Sequence, residues 1–340
     1  ESSFAAVRKR LLSTDPRRAP AQARMPLTGR AIFASLPIRA RRATLRKPLV
    51  MTASADLPSD FAIGPMRPDE LRVLDDWAAQ EGWNPGRADL NIAAAVDPGA
   101  FIALRQDGAL AGGGSIFRHD DGFGFMGLFI MRADLRGQGL GARLWRWRLE
   151  ALQQRLRPGA TIAMDGVYAM TPFYERGGFV AAHRHVRFEG VAAGVARPGI
   201  SDLDAEDMAG VAAIDAACFP ANRQAFLRRW IGQPGAHAVG WRDHGVLRAY
   251  GVARPCRVGF KIGPLYADDA PAAESVLSTL LARIAGQRVQ IDIPEPNAEA
   301  ERMAQRQGLS ESFGCVRLYH GPEPKLPLER IFATTSLEFG

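Results

Sequence analysis

"MGLFIMRADLRGQGLGARLWRWRLEAL" occupies residues 126–152. An apolar run ends at Met131, a short polar stretch follows, and Arg136-Gly137-Gln138-Gly139-Leu140-Gly141 then leads into a strongly helical pattern. The first N–H groups of a helix have no intrahelical partners and lie at the positive end of its dipole, so they suit an anion. Glycines remove the Cβ that would hold a phosphate away, and they permit φ > 0. Arg136 adds a fixed positive charge. The loop is therefore expected to cradle a diphosphate. A dinucleotide fingerprint would read G-x-G-x-x-G inside a βαβ unit, and a Walker A loop would need Gly-Lys-Ser/Thr. Here the spacing is R-x-x-G-x-G and the preceding segment is a meander.

That meander fills residues 100–131. Its strands are "AFIALR", "ALAGGGSIF" and "FGFMGLFIM", divided by Gln106-Asp107-Gly108 and His119-Asp120-Asp121-Gly122, both good turn sequences. Upstream, "FAIGPM" reads as a short strand. Pro68-Asp69-Glu70 opens a helix whose apolar face is Leu71, Leu74 and Trp77, and "EGWNPG" (81–86) ends it as a loop. Downstream, the helix after the glycine loop runs to about Leu156 and stops at Pro158-Gly159. It carries two apolar stripes, Leu140/Leu144/Trp147/Ala151 and Trp145/Leu149/Leu152/Leu156, one for the sheet and one for cover by another element. "TIAMD" (161–165) is a strand, "TPFYERGGF" (171–179) a short helix, and "VAAHRHVRFEG" a closing strand.

The glycine loop, Phe173-Tyr174 and Gly178-Phe179 together resemble motif A and the second motif of the GCN5-related N-acetyltransferases (GNAT), over residues 61–188. The second half repeats the plan in degraded form. "ISDLDAEDMAGVAAIDAACFP", "GAHAVGWRDHGVLRAYGVARPCRVGFKIGPLYADD", "APAAESVLSTLLARI", "RVQIDIP" and "AEAERMAQRQGLSESFGCVRLYHG" follow the same order of elements. "GPLYADD", "IDIPEPN" and the C-terminal "RIFATTSLEFG" resemble the second domain of a tandem subfamily, as does "EGWNPG" in the first copy. Ala270-Pro271-Ala272-Ala273-Glu274 replaces the glycine loop, so this copy is expected to have lost cofactor binding. The expected fold is α/β (α+β), with two tandem GNAT-like domains, each a mixed, mostly antiparallel central sheet flanked by helices. The expected divisions are a basic leader (1–58), an active domain (59–188), a linker (189–199), and a degenerate copy (200–340) acting as an acceptor-side lid.

The resemblance implies an acetyl-CoA-dependent N-acetyltransferase acting on a primary amine of a small molecule or peptide. It places pantetheine along Leu128-Phe129-Ile130, and diphosphate beside Arg136 on the amides of Gly137, Gln138, Gly139, Leu140 and Gly141. Tyr174 is the expected proton donor to the leaving sulfur, since a phenol (pKa ~10) stays protonated where a thiol (~8.5) begins to ionise. Asp165 and Glu81 are the candidate bases. Trp83 and Asn84 in the EGWNPG loop, and Tyr266 in the second copy, are expected to border the acceptor. His183 and His185 share a strand face and read as surface or pocket-rim residues, with no third ligand spaced for a metal. A donor other than acetyl-CoA and a CoA sensor without turnover are the alternatives.

Composition narrows the setting. The net charge is +7, but the first 50 residues hold 12 basic and 2 acidic side chains, and the remaining 290 hold 31 and 34. The basicity belongs to the leader, so no nucleic-acid partner is expected for the body. Three scattered cysteines suggest a reducing compartment. No apolar run approaches membrane-spanning length. The expected protein is a cytoplasmic monomer or homodimer without membrane attachment; an Arg-rich leader poor in acids also allows an organellar address.

Overall fold

Alternating apolar residues and left-handed turn residues build the first sheet. In the computed structural model, which describes residues 57–340, β1 (Phe61–Pro65), β2 (Phe101–Gln106), β3 (Ala109–Arg118) and β4 (Phe123–Met131) pair antiparallel in sequence order. Asp107 and Gly108 both take positive φ at the β2–β3 turn, as a two-residue hairpin requires. The leader expected over 1–58 lies outside the described residues apart from its last two. Helix α1 (Pro68–Gln80) starts at a proline, and Glu70 accepts from the Arg67 amide at 2.7 Å. Helix α2 (Asp89–Val96) precedes β2, and α3 (Leu140–Arg155) follows β4. Next come β5 (Thr161–Val167), α4 (Thr171–Arg176) and β6 (Val180–Val191). Neither predicted stripe of α3 is buried alone. Leu140, Leu144, Trp145, Leu149 and Leu152 are all buried, whereas Trp147 and Ala151 are half-buried.

The second half repeats the order with β7 (Ile200–Asp202), α5 (Met208–Cys218), α6 (Gln224–Ile231), β8 (His237–Asp243), β9 (Val246–Pro255), β10 (Phe260–Ala267), α7 (Ala270–Arg283), β11 (Arg288–Pro294), α8 (Ala298–Arg306) and β12 (Ser310–His320). A short β13 (Ile331–Ala333) follows. All belong to one mixed sheet, in the order β1-β2-β3-β4-β5-β12-β6-β11-β10-β9-β8-β7, with β13 on β10. No helix among the described residues is long and apolar enough to cross a membrane.

That order reveals an exchange. Strand β12 is the last long strand of the second half, yet it lies between β5 and β6 of the first; β6 ends the first half and pairs with β11 of the second. A cut in the linear sequence between 188 and 200 therefore does not divide the sheet. The alternating pattern of β6 and β12 specifies a strand, but not which neighbour it takes.

Both halves contain parallel strands that part. β4 pairs with β5 only from Phe123 to Phe125, opposite Thr161 to Ala163. β10 pairs with β11 only from Phe260 to Ile262. In the second half the gap is filled by the chain itself. β13 pairs with β10, and the next residue, Thr334, donates its amide to the Asp292 carbonyl of β11 at 2.9 Å. Among the described residues, the gap between β4 and β5 receives no such strand and holds a cavity.

Candidate active site

The cavity is about 400 Å³ and passes between β4 and β5. Met126 to Met131 form one wall, and Met164, Asp165 and Val167 the other. Trp145, Met170, Phe173 and Tyr174 enclose it on the side of α3 and α4. Trp83, Arg187, Phe313, Leu337 and Glu338 lie on the side shared with the second half. All three residues expected to run beside pantetheine, Leu128, Phe129 and Ile130, line it.

A bulge shapes that wall. Gly113 opposes Ile130 and Ser115 opposes Gly127, so Gly114 alone faces both Leu128 and Phe129. Leu128 takes φ 52°, a rare angle for a branched residue. A bulge takes a residue out of the ladder and turns its backbone groups aside. Arg148, from the middle of α3, donates through Nη2 to the carbonyls of Ser115 (2.5 Å) and Gly127 (2.7 Å), on either side of this distortion. Its guanidinium lies against Gly114, where a Cβ would stand 2.4 Å from Cζ, so only glycine fits there. Burial pulls the Arg148 pKa down to about 9.

At the cavity mouth Gly137 and Gly139 have φ of 77° and 80°, and Gly139 caps α3. A Cβ at either would meet nothing within 4 Å, so backbone angle rather than crowding demands glycine there. Gly137, Gly141 and Arg136 line the cavity; Leu140 packs into the core, and the Gln138 side chain bonds the Asp134 carbonyl. Arg136 reaches the carbonyl of Met131 (3.0 Å) and the carboxylate of Glu81 (2.5 Å). The equivalent helix start in the second half is closed. Asp269 accepts from the Ala272 amide, and Glu274 pairs with Arg306 at 2.8 Å.

Tyr174 is buried and lines the cavity. Its ring lies against Gly166, where a Cβ would be 2.6 Å from Cε2. Burial pushes its pKa up to about 12, partly opposed by Arg148, so the phenol is protonated at neutral pH.

Other expected residues serve differently. Asp165 is not suited to be a base. Its side chain is fully buried and accepts from Arg317 Nε and Nη2 (both 2.8 Å), and it lies 3.0 Å from His185 Nδ1. Burial alone would raise its pKa, but Arg317 and His185 hold it well below the usual carboxylate range. Glu81 does line the cavity, bound to Arg136. Trp83 lines it too, whereas Asn84 does not. The Asn84 side chain exchanges hydrogen bonds with the backbone of Val258 (3.0 and 3.1 Å) and bonds Gln290 (3.1 Å). The EGWNPG loop is thus also an anchor between halves, continued by the buried pair Arg254–Asp89.

Tyr266, expected to border the acceptor, does not line the cavity. It sits inside the second half, pairs with Ile331 of β13, and bonds Arg223 Nη2 (3.1 Å) beside Thr335. His183 and His185 are buried rather than on a rim, with Nε2 atoms 3.3 Å apart. Burial lowers the His183 pKa to about 3. Asp165, His185 and Cys315 each bring a ligand-type atom within 4.8 Å of the others. Arg317 occupies both Asp165 oxygens, however, so the set is an ion-pair network beside a fixed cation.

Sequence reasoning missed Arg148 and Glu338. The first looks like one more charge on a helix rich in arginine. The second lies in a C-terminal motif noted for resemblance, but its position depends on the strand exchange.

Comparison with known proteins agrees with this geometry. Residues 69–179 match the acetyltransferase (GNAT) family and residues 211–333 an acetyltransferase (GNAT) domain. A holothin acyltransferase from Pseudoalteromonas sp. (strain SANK 73390) is 26% identical, over 80% of this chain and 92% of that protein. A Pyrococcus horikoshii protein crystallised as a candidate acetyltransferase superposes with a TM-score of 0.72 at 21% identity, covering 84% of this chain and 98% of its own. A tandem GNAT protein from the clavulanic acid biosynthesis pathway gives 0.56 at 15%, covering 78% and 99%. The repeated plan, the parted strands with their glycine loop, and two matches in tandem establish that this chain belongs to the GNAT acyltransferases, in their tandem form.

Proposed function

We propose that the protein transfers an acetyl group from acetyl-CoA to a primary amine of a small molecule or peptide, at one site per chain. The observation that carries this reading is the gap that the described residues leave between β4 and β5, with a glycine loop at its mouth and Tyr174 on its wall. Its second-half counterpart is closed by β13 and by the Asp269 cap. Loop amides and Arg136 receive the diphosphate. The bulge amides at Leu128 and Phe129 are aimed to stabilise the oxyanion that forms as nitrogen attacks the thioester. Arg148 keeps the flanking carbonyls fixed, and its charge stands near the developing negative centre. Tyr174 gives its proton to the departing sulfur. The apolar lining keeps water from competing with the amine.

Isothermal titration with CoA, paired with thiol release from acetyl-CoA in the presence of amines, tests the proposal. One CoA per chain and amine-dependent thiol release are expected. Two equivalent sites, or CoA binding without amine-dependent release, would refute it. The second outcome would favour a CoA sensor, and release only with another acyl-CoA would reassign the donor.

A further inference from the structure

Among the described residues three carboxylates line the cavity: Glu81, Asp165 and Glu338. Asp165 is saturated by Arg317 and His185, and Glu81 is bound to Arg136 at the mouth. Glu338 differs. Its side chain is 4% exposed, its Oε1 lies 3.7 Å from Lys261 Nζ, and its Oε2 has no hydrogen-bond partner among the described residues. The Lys261 ammonium donates instead to the Trp83 carbonyl at 2.8 Å. Arg187, the other nearby cation of the wall, is held by Asp292 through two bonds of 2.6 and 2.9 Å. A buried carboxylate oxygen without a donor is costly to maintain, and such an oxygen suits a cationic ligand.

The chain path puts this carboxylate beside the bulge. After β13 closes the second half, the tail crosses to the first. The Glu338 carbonyl packs on Gly127, where a Cβ would approach to 2.2 Å, one residue before Leu128. Phe339 fixes the tail among Phe101 and Phe117, and its carbonyl lies 2.8 Å from His119 Nε2. Most of the surrounding wall is apolar, with Trp83, Met126, Phe129, Phe313 and Leu337, and its cation Arg187 is taken up by Asp292.

Resting on the acyl-transfer reading above, we propose that Glu338 is the carboxylate that receives the acceptor's ammonium and takes its proton. We further propose that the acceptor is a small monoamine on an apolar body. A single carboxylate oxygen left without a donor matches one positive charge, which disfavours polyamines, and the mostly apolar wall offers little to a sugar's hydroxyls. The ammonium passes one proton to Glu338 Oε2, and that proton later leaves to solvent. The freed lone pair attacks the thioester carbon, forming C–N while the carbonyl π electrons move to oxygen. Collapse of the adduct breaks C–S. The second nitrogen proton replaces the one that Tyr174 gives to sulfur.

The test uses the full chain, with Glu338→Gln and Glu338→Asp, and four probe classes: apolar monoamines (benzylamine, 2-phenylethylamine, hexylamine), spermidine, glucosamine and a lysine peptide. The unmutated chain should have its highest kcat/KM with an apolar monoamine. Glu338→Gln should lower that value at least 100-fold and Glu338→Asp at least 10-fold, with CoA Kd within threefold of wild type. In the CoA complex, 2-phenylethylammonium should bind at least tenfold tighter than neutral 2-phenylethanol, and Glu338→Gln should erase this preference, which a merely structural residue would not control. Turnover within threefold of wild type in either variant, or retained preference for the cation in the Gln variant, overturns the role of Glu338. Loss of folding in the Gln variant alongside wild-type turnover in the Asp variant does the same. Best turnover with spermidine, glucosamine or the peptide overturns the substrate class. Failure of the unmutated chain to bind CoA is a separate result, which removes the acyl-transfer reading itself.

Discussion

Asp165→Asn separates a structural carboxylate from a catalytic one. Asp165 and Arg317 face each other across the β5–β12 pairing, so the pair ties the exchanged strand to its host. The Asp165 side chain is fully buried and that of Arg317 is 7% exposed. Asparagine keeps the shape and one acceptor oxygen but removes the charge, leaving a buried guanidinium uncompensated. Breaking a buried pair from one side costs about 3–5 kcal/mol; the retained acceptor favours the lower end. At an unfolding entropy of about 2.1 cal/mol/K per residue, each kcal/mol is worth about 1.5 °C in Tm for a chain of this size, so a loss of roughly 5 °C is expected.

The pH dependence has a definite sign. The folded pKa lies below the unfolded value of ~3.9, so the stabilisation is fully present above that value and is lost as pH falls through the folded pKa. The stability gap between wild type and variant should be constant from pH 6 to 8 and shrink below about pH 4. Urea unfolding by circular dichroism gives the gap, and thiol release at 15 °C gives the turnover of folded protein. Turnover within about threefold of wild type is expected. A variant as stable as wild type, or a folded one about 100-fold slower, would refute the structural assignment and restore Asp165 as a base.

Gly139→Glu should abolish CoA binding by titration while leaving the circular dichroism spectrum unchanged, because it adds a side chain at φ 80° and a negative charge at the helix start. Tyr174→Phe should lower kcat about 10²–10⁴-fold with CoA Kd nearly unchanged, since the phenol proton matters mainly as sulfur departs; wild-type turnover would move that role to another group. A chain ending at residue 199 should be insoluble or unfolded by gel filtration and circular dichroism, because it lacks β12 and leaves both β5 and β6 with open edges.

Much of this molecule was legible from local chemistry. The meander, the glycine-loop helix and the Tyr174 helix follow from turn residues, caps and apolar spacing, all of which act over a few positions. Leu128, Phe129, Ile130, Gly137, Gly141 and Arg136 were reachable because the motif ties them to one strand–loop–helix unit. The misread residues depend on distant partners. Asp165 looked like a free strand-end acid because Arg317 lies 152 positions away. Tyr266 looked like a loop aromatic because β13, which covers it, arrives from the far end of the chain. His183 and His185 looked peripheral because β6 is a terminal strand in sequence and a central one in space.

The exchange also explains why the second half persists without a diphosphate cradle of its own. Its β12 completes the wall on which Asp165 is fixed, and Val258 and Gln290 hold the loop that carries Trp83. Its last residues then deliver Leu337 and Glu338 to the cavity of the first half. A lid on an independent domain would leave the cleft intact when removed. Here removal would open the sheet at its centre, so donor-site stability and acceptor-site chemistry are coupled. Substitutions at Arg254 or Asn84, which do not themselves line the cavity, should therefore alter acceptor KM before they alter CoA affinity. These side chains set the spacing between the two halves on the acceptor side, whereas the glycine loop is continuous with β4 and α3 of the first half.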